Sequence, residues 1–439
     1  MRKLVFVLLL TALPLCADTT VTLLHFSDYH SHALPFYTDE GERGGIARAI
    51  GYLRAQKRAG ALVFSGGDTI NKGAPAWSDK YQCAEWPWLN GVVDAMAFGN
   101  HDADYGWDVF ERCRERVRYP ILSANTFRVN SNGFRGTAVF TVRGVRIGVF
   151  AVAGDDFPKL VKVPGLTFTD AVTAAREAVR VLREEQHVDA VVMIGHQEDD
   201  ADYAMAKAVP GINLIFGSHS HLKRDLVQIP GTSTTFISPS QYLTYISRVE
   251  LTIADGRVKS VRGGLIPVDA SLPVDGPVEK RVEKRVEKMQ RELERDPQYR
   301  DLFKVVGHFD APLSTEAVAR RTIDVMRDVA KADVAISTKS SFRSPLPAGP
   351  LTMELLRGAM PYENEIVTCA MPGAQLQRVL DAAGPDSYVS AIGTIDPSQT
   401  YRVATTDFVA NVAYKDVFAC DKTKTGLHVR EEFFRSVAR

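Results

Sequence analysis

"AFGNHDADYG", residues 97–106, sets an amide, an imidazole and two carboxylates (Asn100, His101, Asp102, Asp104) directly behind an apolar run, Val92 to Phe98. Alone, the stretch reads equally as turn chemistry, because Gly-Asn and Asp-rich segments are common in turns. Its meaning depends on whether the chain repeats the pattern. It does: Val21 to Phe26 leads into Ser27-Asp28-Tyr29-His30, and Ala61 to Phe64 into Ser65-Gly66-Gly67-Asp68. Val188 to Ile194 leads into Gly195-His196, and Ile212 to Phe216 into Gly217-Ser218-His219-Ser220-His221. Continuous runs rich in Val, Ile and Phe read as strands buried on both faces. Gly45 to Lys57 and Thr169 to Glu185 have helical character between them. Strand, polar tip, helix is the repeat of a layered α/β domain, whose ligands sit at strand ends.

The tips together supply Asp28, His30, Asp68, Asn100, His196, His219 and His221. Carboxylates, imidazoles and one amide suit a borderline divalent ion such as Zn²⁺, Mn²⁺ or Fe²⁺. These donors are too many for one ion but suit two ions sharing a carboxylate, for which Asp68 is the candidate. Such a pair clamps the attacking and leaving oxygens of phosphoryl transfer. Of the other polar residues, His25 lies within a strand and reads as structural. His32 shares strand parity with Asp28 and competes with His30. His187 and His308 read as surface or packing residues. Asp102 is either a supporting acid or a turn acid, and Glu198 to Asp200 reads as a helix start.

Five ordered blocks, D-x-H (Asp28, His30), G-G-D (Gly66 to Asp68), G-N-H-D-x-D (Gly99 to Asp104), G-H (Gly195, His196) and G-S-H-S-H (Gly217 to His221), resemble the metallophosphoesterase domain of the secreted 5′-nucleotidase/UDP-sugar hydrolase family over residues 20–270. The resemblance implies a four-layer α/β/β/α domain holding two divalent ions (Zn, Mn, Fe, Mg or Co). Asp28, His30, Asp68 and His221 would form one site, and Asp68, Asn100, His196 and His219 the other. Family spacing favours His30 over His32. His101 matches the phosphate-facing catalytic histidine and Asp104 the acid that orients it.

Downstream, "TEAVARRTIDVM…PYENEIV" resembles the same family's C-terminal domain, a smaller mixed α/β unit. The resemblance makes Arg343 a phosphate-gripping arginine, Tyr362 and Phe408 two rings around a base, and Asn364 their neighbour. The alternative is that both rings are core aromatics. Departures accompany the match. Thr338 to Arg343 lacks the usual Asn and Gly, Val412-Ala413-Tyr414 stands where an acid is usual, and Glu363 adds negative charge where an anionic substrate would enter. The resemblance therefore implies a phosphoester hydrolase acting on a small molecule, a nucleotide first. A thiosulfohydrolase on the same metals and a non-catalytic binding protein are the rival readings.

Lysine plus arginine equals aspartate plus glutamate, 53 each, which gives no bias toward nucleic acid. Arg2 and Lys3 precede an apolar run, Leu4 to Leu15, ending at Cys16-Ala17, the pattern of a secretory signal peptide. The mature chain is expected from Asp18, periplasmic or secreted, without a stable membrane anchor. Lipidation at Cys16 is the weaker alternative, because Leu15 precedes it. Cys83, Cys113, Cys369 and Cys420 pair most economically as 83–113 and 369–420, or remain buried thiols. Val278, Val282, Val286, Met289 and Leu293 recur at helical spacing among charged residues, which predicts one amphipathic connecting helix. The expected organisation is a signal peptide (1–17), a phosphoesterase domain (18–272), a linker helix (273–299) and a substrate-binding domain (300–439). Oligomeric state stays open.

Overall fold

A computed structural model describes residues 18–73, 75–128, 133–272 and 276–437. The expected signal peptide, with Cys16, and the first three linker residues lie outside the described residues. In chain order, the larger unit is built from β1 (Thr19–Phe26), β2 (Leu62–Ser65), β3 (Ala95–Ala97), β4 (Ile121–Leu122), β5 (Thr137–Val142), β6 (Val145–Phe150), β7 (Ala190–Met193), β8 (Leu214–Phe216), β9 (Lys223–Gln228), β10 (Thr235–Pro239), β11 (Tyr245–Ala254) and β12 (Arg257–Pro267). They form two six-stranded sheets, ordered β12-β11-β1-β2-β3-β4 and β9-β10-β8-β7-β6-β5. β1 to β4 run parallel, as do β6, β7, β8 and β10, and the remaining pairings are antiparallel.

The sheets stack face to face. Leu23, Phe64, Val149, Val192, Phe216 and Leu251 fill the space between them. Alternate residues of the same strands point outward: Leu24 and Phe26 pack beneath α1 (Ile46–Arg58), α2 (Ala76–Tyr81) and α3 (Trp107–Arg114). On the other side, Phe150 and Met193 pack beneath α4 (Ala171–Arg180) and α5 (Asp199–Ala208). A strand buried on both faces has no polar alternation, which explains the unbroken apolar runs. The result is the four-layer α/β/β/α arrangement. The expected disulfides are both formed, Cys83–Cys113 and Cys369–Cys420.

The connecting helix, α6 (Gly276–Arg295), buries the whole expected stripe. Its apolar face packs against α1 and joins the outer core of the larger unit, so it is anchored to that unit rather than suspended between two. Five buried side chains at about 1.5–3 kcal/mol each outweigh any surface ion pair on its outer face. Beyond it stand α7 (Thr315–Val329), α8 (Met353–Ala359), α9 (Gly373–Ala383) and α10 (Val429–Val437). They flank a mixed sheet ordered β15-β13-β16-β14-β17, from β13 (Val334–Thr338), β14 (Glu365–Pro372), β15 (Ser387–Val389), β16 (Thr400–Thr406) and β17 (Lys422–His428). One face carries α7, α8 and α10, the other α9.

Candidate metal centre and catalytic dyad

All seven expected donors, together with His101, follow the C-terminal ends of parallel strands β1, β2, β3, β7 and β8, where both sheets open onto one cleft. The backbone there is unusual. Asp28, His30, Asp68, His219 and His221 have φ of 51°, 48°, 48°, 64° and 57°, a left-handed conformation that non-glycine residues rarely adopt. Cross-loop hydrogen bonds enforce it: Asp28 N donates to Gly67 O (3.1 Å) and His30 N to Asp68 O (2.9 Å). Asp102 resolves as a supporting acid. Its carboxylate accepts from Gly99 N (2.8 Å), Thr69 N (2.9 Å), Thr69 Oγ1 (2.7 Å) and Asp68 N (3.2 Å), tying two loops together. Gly99 is required for closeness, since a Cβ there would meet Asp68 Oδ1 at 2.2 Å.

The expected donor atoms converge in two groups, Asp28 with His30 and His221, and Asp68 with His196 and His219, and a third group joins His219 to Asp156 and Glu198. His196 Nδ1 donates to Gly66 O (2.7 Å), which turns Nε2 toward Asp68 Oδ2 (3.2 Å) and Asn100 Oδ1 (3.2 Å). With Nδ1 fixed as the donor, a neutral ring presents a lone pair to two oxygens, an arrangement that needs a positive charge in its midst. From the protein groups alone, burial opposes charging His196, but the Asp68 carboxylate, Asp28 and the Gly66 carbonyl together pull the ring up to about 10, the pull that a divalent ion would answer in place of the second proton. In the other group, His30 Nε2 lies 3.0 Å from His221 Nε2. Asp28 Oδ1, buried without a hydrogen-bond partner among the described residues, is 3.1 Å from His221 Nε2 and 3.8 Å from His30 Nε2. Burial holds His30 low and His221 down at about 4, so both rings are neutral and suited to ligation. Facing nitrogens around an orphaned carboxylate oxygen fit a cation.

His32 faces away: its ring stacks on Tyr242 and Nδ1 meets His30 O at 3.0 Å. His25 is buried between the sheets, stacked on Phe216, and His187 and His308 are exposed. Sequence reasoning missed Asp156, whose Oδ2 sits 2.8 Å from His219 Nε2. The signal was present, because Gly154-Asp155-Asp156 follows β6 as another polar tip, but no histidine marked it. Glu198, read only as a helix start, also reaches within 3.7 Å of that nitrogen.

His101 Nδ1 lies 2.8 Å from Asp104 Oδ2, and Lys72 N donates to the same oxygen (2.9 Å). Burial opposes charge on His101, but Asp104, together with the Asp68 carboxylate and other neighbours, lifts the ring well above its ordinary range. A cavity of about 500 Å³ opens beside Asn100 and Asp104. From the smaller unit, Arg343 Nη1 approaches His221 Nε2 (3.4 Å) and Gln241 Oε1 (3.2 Å). Tyr362 Oη accepts from Arg343 Nη2 (3.1 Å) and lies 3.4 Å from His101 Nε2. Of the other two expected substrate contacts, Phe408 is partly buried against the core that includes α9, and Asn364 gives its backbone carbonyl to Val429 N (3.1 Å). Glu363 does not add free negative charge at the entrance, because Arg430 pairs with it.

Residues 21–223 match the calcineurin-like phosphoesterase family model, and residues 316–394 match that of the 5′-nucleotidase C-terminal domain. The chain belongs to the 5′-nucleotidase family of calcineurin-like phosphoesterases. It is a metal-dependent phosphoester hydrolase. Protein UshA of Yersinia enterocolitica is 25% identical over 475 residues, covering 89% of this chain and 85% of the relative. A 5′-nucleotidase of Vibrio vulnificus is 29% identical over 305 residues, 59% of this chain and 54% of the relative. In fold, the family member resembles a Thermus thermophilus 5′-nucleotidase precursor (TM-score 0.74, 20% identity, 96% of each chain). It also resembles the sulfate thiohydrolase SoxB of Thermus thermophilus (TM-score 0.73, 20% identity, 95% of this chain and 94% of that one). Among the described residues, no helix is long and apolar enough to cross a membrane.

Proposed function

We propose that this protein is an exported hydrolase with a two-metal centre that releases phosphate from nucleotides or related phosphomonoesters. The observation that carries the reading is the pair of donor groups meeting beside a carboxylate-held histidine. Asp28, His30 and His221 would hold one ion and Asn100, His196 and His219 the other, with Asp68 shared. Two divalent ions there would supply Lewis-acid charge and make water deprotonable near neutral pH. In the reaction, water adds its oxygen to phosphorus, the bridging P–O bond breaks and the leaving oxygen takes up a proton. His101, charged and aimed by Asp104, donates to the phosphoryl oxygens as negative charge builds on them. Arg343, held beside His221 and Tyr362, would grip the same group. Asp156 would orient His219 through the ring nitrogen it faces. The two disulfides support export, since such bonds persist in oxidising compartments.

Metal analysis and a substrate panel on wild type and His101→Ala test the reading. Wild type should hold two ions per chain and release phosphate with added Mn²⁺. His101→Ala should keep its ions and lose roughly 10²–10⁴-fold in turnover. Metal-loaded wild type that cleaves no aryl phosphate, nucleotide or nucleotide-sugar, but desulfates a cysteine S-sulfonate, would overturn it.

A further inference from the structure

We propose that the Tyr362 hydroxyl is a catalytic hydrogen-bond donor to the transferring phosphoryl group, so that the smaller unit recognises phosphate at this position rather than stacking a nucleobase. The inference rests on the phosphoester reading above and deepens it.

Tyr362 stands on the short connection between α8 and β14. That connection is fixed independently of any ligand. Arg430 Nη1 donates to Met360 O (3.0 Å) and Pro361 O (3.3 Å), its Nη2 pairs with Glu363, and Val429 N donates to Asn364 O (3.1 Å). A backbone pinned on both sides aims the ring, and the hydroxyl arrives in place without reorganisation. Arg343 is held as well, by Nε donating to Ser340 O (2.8 Å).

A phenol has one proton to give. Arg343 Nη2 donates into Oη at 3.1 Å, so the phenolic proton points away from the guanidinium. The proton therefore faces the cleft beside His101, whose Nε2 is 3.4 Å from Oη. Two donors separated by that distance can both reach one oxygen at about 2.8 Å from each. A phosphoryl oxygen contacting His101 is thus within reach of Tyr362, and Arg343 closes the third side. His101, Tyr362 and Arg343 gathered in contact at the cleft suit an anionic group better than a neutral base.

One face of the ring is approached by the Arg343 guanidinium, 5.6 Å from its centroid, and Phe408 is partly buried against the core that includes α9. Phenylalanine would supply the same ring with no donor. The hydroxyl is the part of this side chain that meets the reaction centre.

Tyr362→Phe and Tyr362→Leu, in the full-length metal-loaded protein, separate these roles. Removing one donor from a developing oxyanion lowers turnover by about 10²-fold. Tyr362→Phe should lose that much in kcat on both p-nitrophenyl phosphate and AMP, with KM raised by no more than about tenfold, the pattern of a contact stronger in the transition state than in the ground state. Equal loss on p-nitrophenyl phosphate, whose leaving group needs no proton, assigns the donor to the phosphoryl oxygens. Tyr362→Leu should be no worse than Tyr362→Phe. Calorimetric titration with inorganic phosphate should show about tenfold weaker binding to Tyr362→Phe. Wild-type kcat in Tyr362→Phe, or a Tyr362→Leu defect confined to KM for AMP, would overturn the proposal in favour of stacking. Wild type inert toward both esters sinks the phosphoesterase reading instead, and the phosphate titration then decides the hydroxyl contact by itself.

Discussion

Glu85 is a fully buried acid whose Oε1 accepts from the Tyr29 hydroxyl (3.1 Å), while its Oε2 has no hydrogen-bond partner among the described residues. Burial pushes its carboxyl from an ordinary 4.5 up to about 7. Below the lower value both folded and unfolded chains hold the proton. Between the two only the folded chain does, so unfolding releases a proton and stability falls as pH rises. The full effect is about 3 kcal/mol, complete once the pH passes the folded value. Thermal melts of Glu85→Gln between about pH 5 and 8 should therefore vary less with pH than those of wild type. Parallel curves would assign the dependence to other groups. Neither Glu85 nor Asp102 could be ranked from sequence, because an acid's environment is set by chain segments far away. Glu363 and its partner Arg430 make the same point, since the pairing that neutralises Glu363 spans two loops.

At the scale of elements, the strand-and-tip pattern was readable because strands buried on both faces carry no polar alternation to confuse with helix. The connecting helix was readable for the opposite reason: a narrow stripe in a charged background has a single period. Where that stripe would dock was not readable, since spacing identifies a face and says nothing about the surface it meets. The packing on α1 makes the helix part of the larger unit's core. Leu293, with no exposed surface, should destabilise the fold by about 2–5 kcal/mol when replaced by Ala. Lys284→Ala on the outer face should change it by less than about 0.5 kcal/mol. Denaturant midpoints compare the two, and equal small effects would mean the helix is not anchored by its stripe.

At the scale of the molecule, the reaction centre is shared. Besides Arg343 and Tyr362, the smaller unit reaches across through Glu354, which accepts from Ala76 N at the start of α2 (2.8 Å). Arg357 pairs with Asp79 (3.3 Å) in the same helix. Asp79 also accepts from Gly73 N (2.8 Å) and Tyr105 (3.0 Å), so one carboxylate joins both units to the loop beside Asp104. The disulfides work within each unit, closing segments of 30 and 51 residues. On the chain-entropy account each restrains the unfolded chain by about 3–4 kcal/mol. Thermal melts with reductant, and of Cys83→Ser/Cys113→Ser, should show lower midpoints, and unchanged midpoints would refute that contribution. The tip residues could be gathered from sequence because each closes an apolar run, whereas the approach of Arg343 and Tyr362 to His221 and His101 depends on how the two units meet, which no local pattern encodes.

The left-handed backbone at Asp28, His30, Asp68, His219 and His221 sets function against fold in this protein. Each such residue carries roughly 1–2 kcal/mol of local strain. Five together approach the net stability of a typical domain, about 5–15 kcal/mol. Glycine would relax every one of these positions and abolish its donor. A lineage released from the need to hold ions would therefore gain stability by losing these side chains. Gathered at one cleft, these five positions set a cost in stability against the donors they supply.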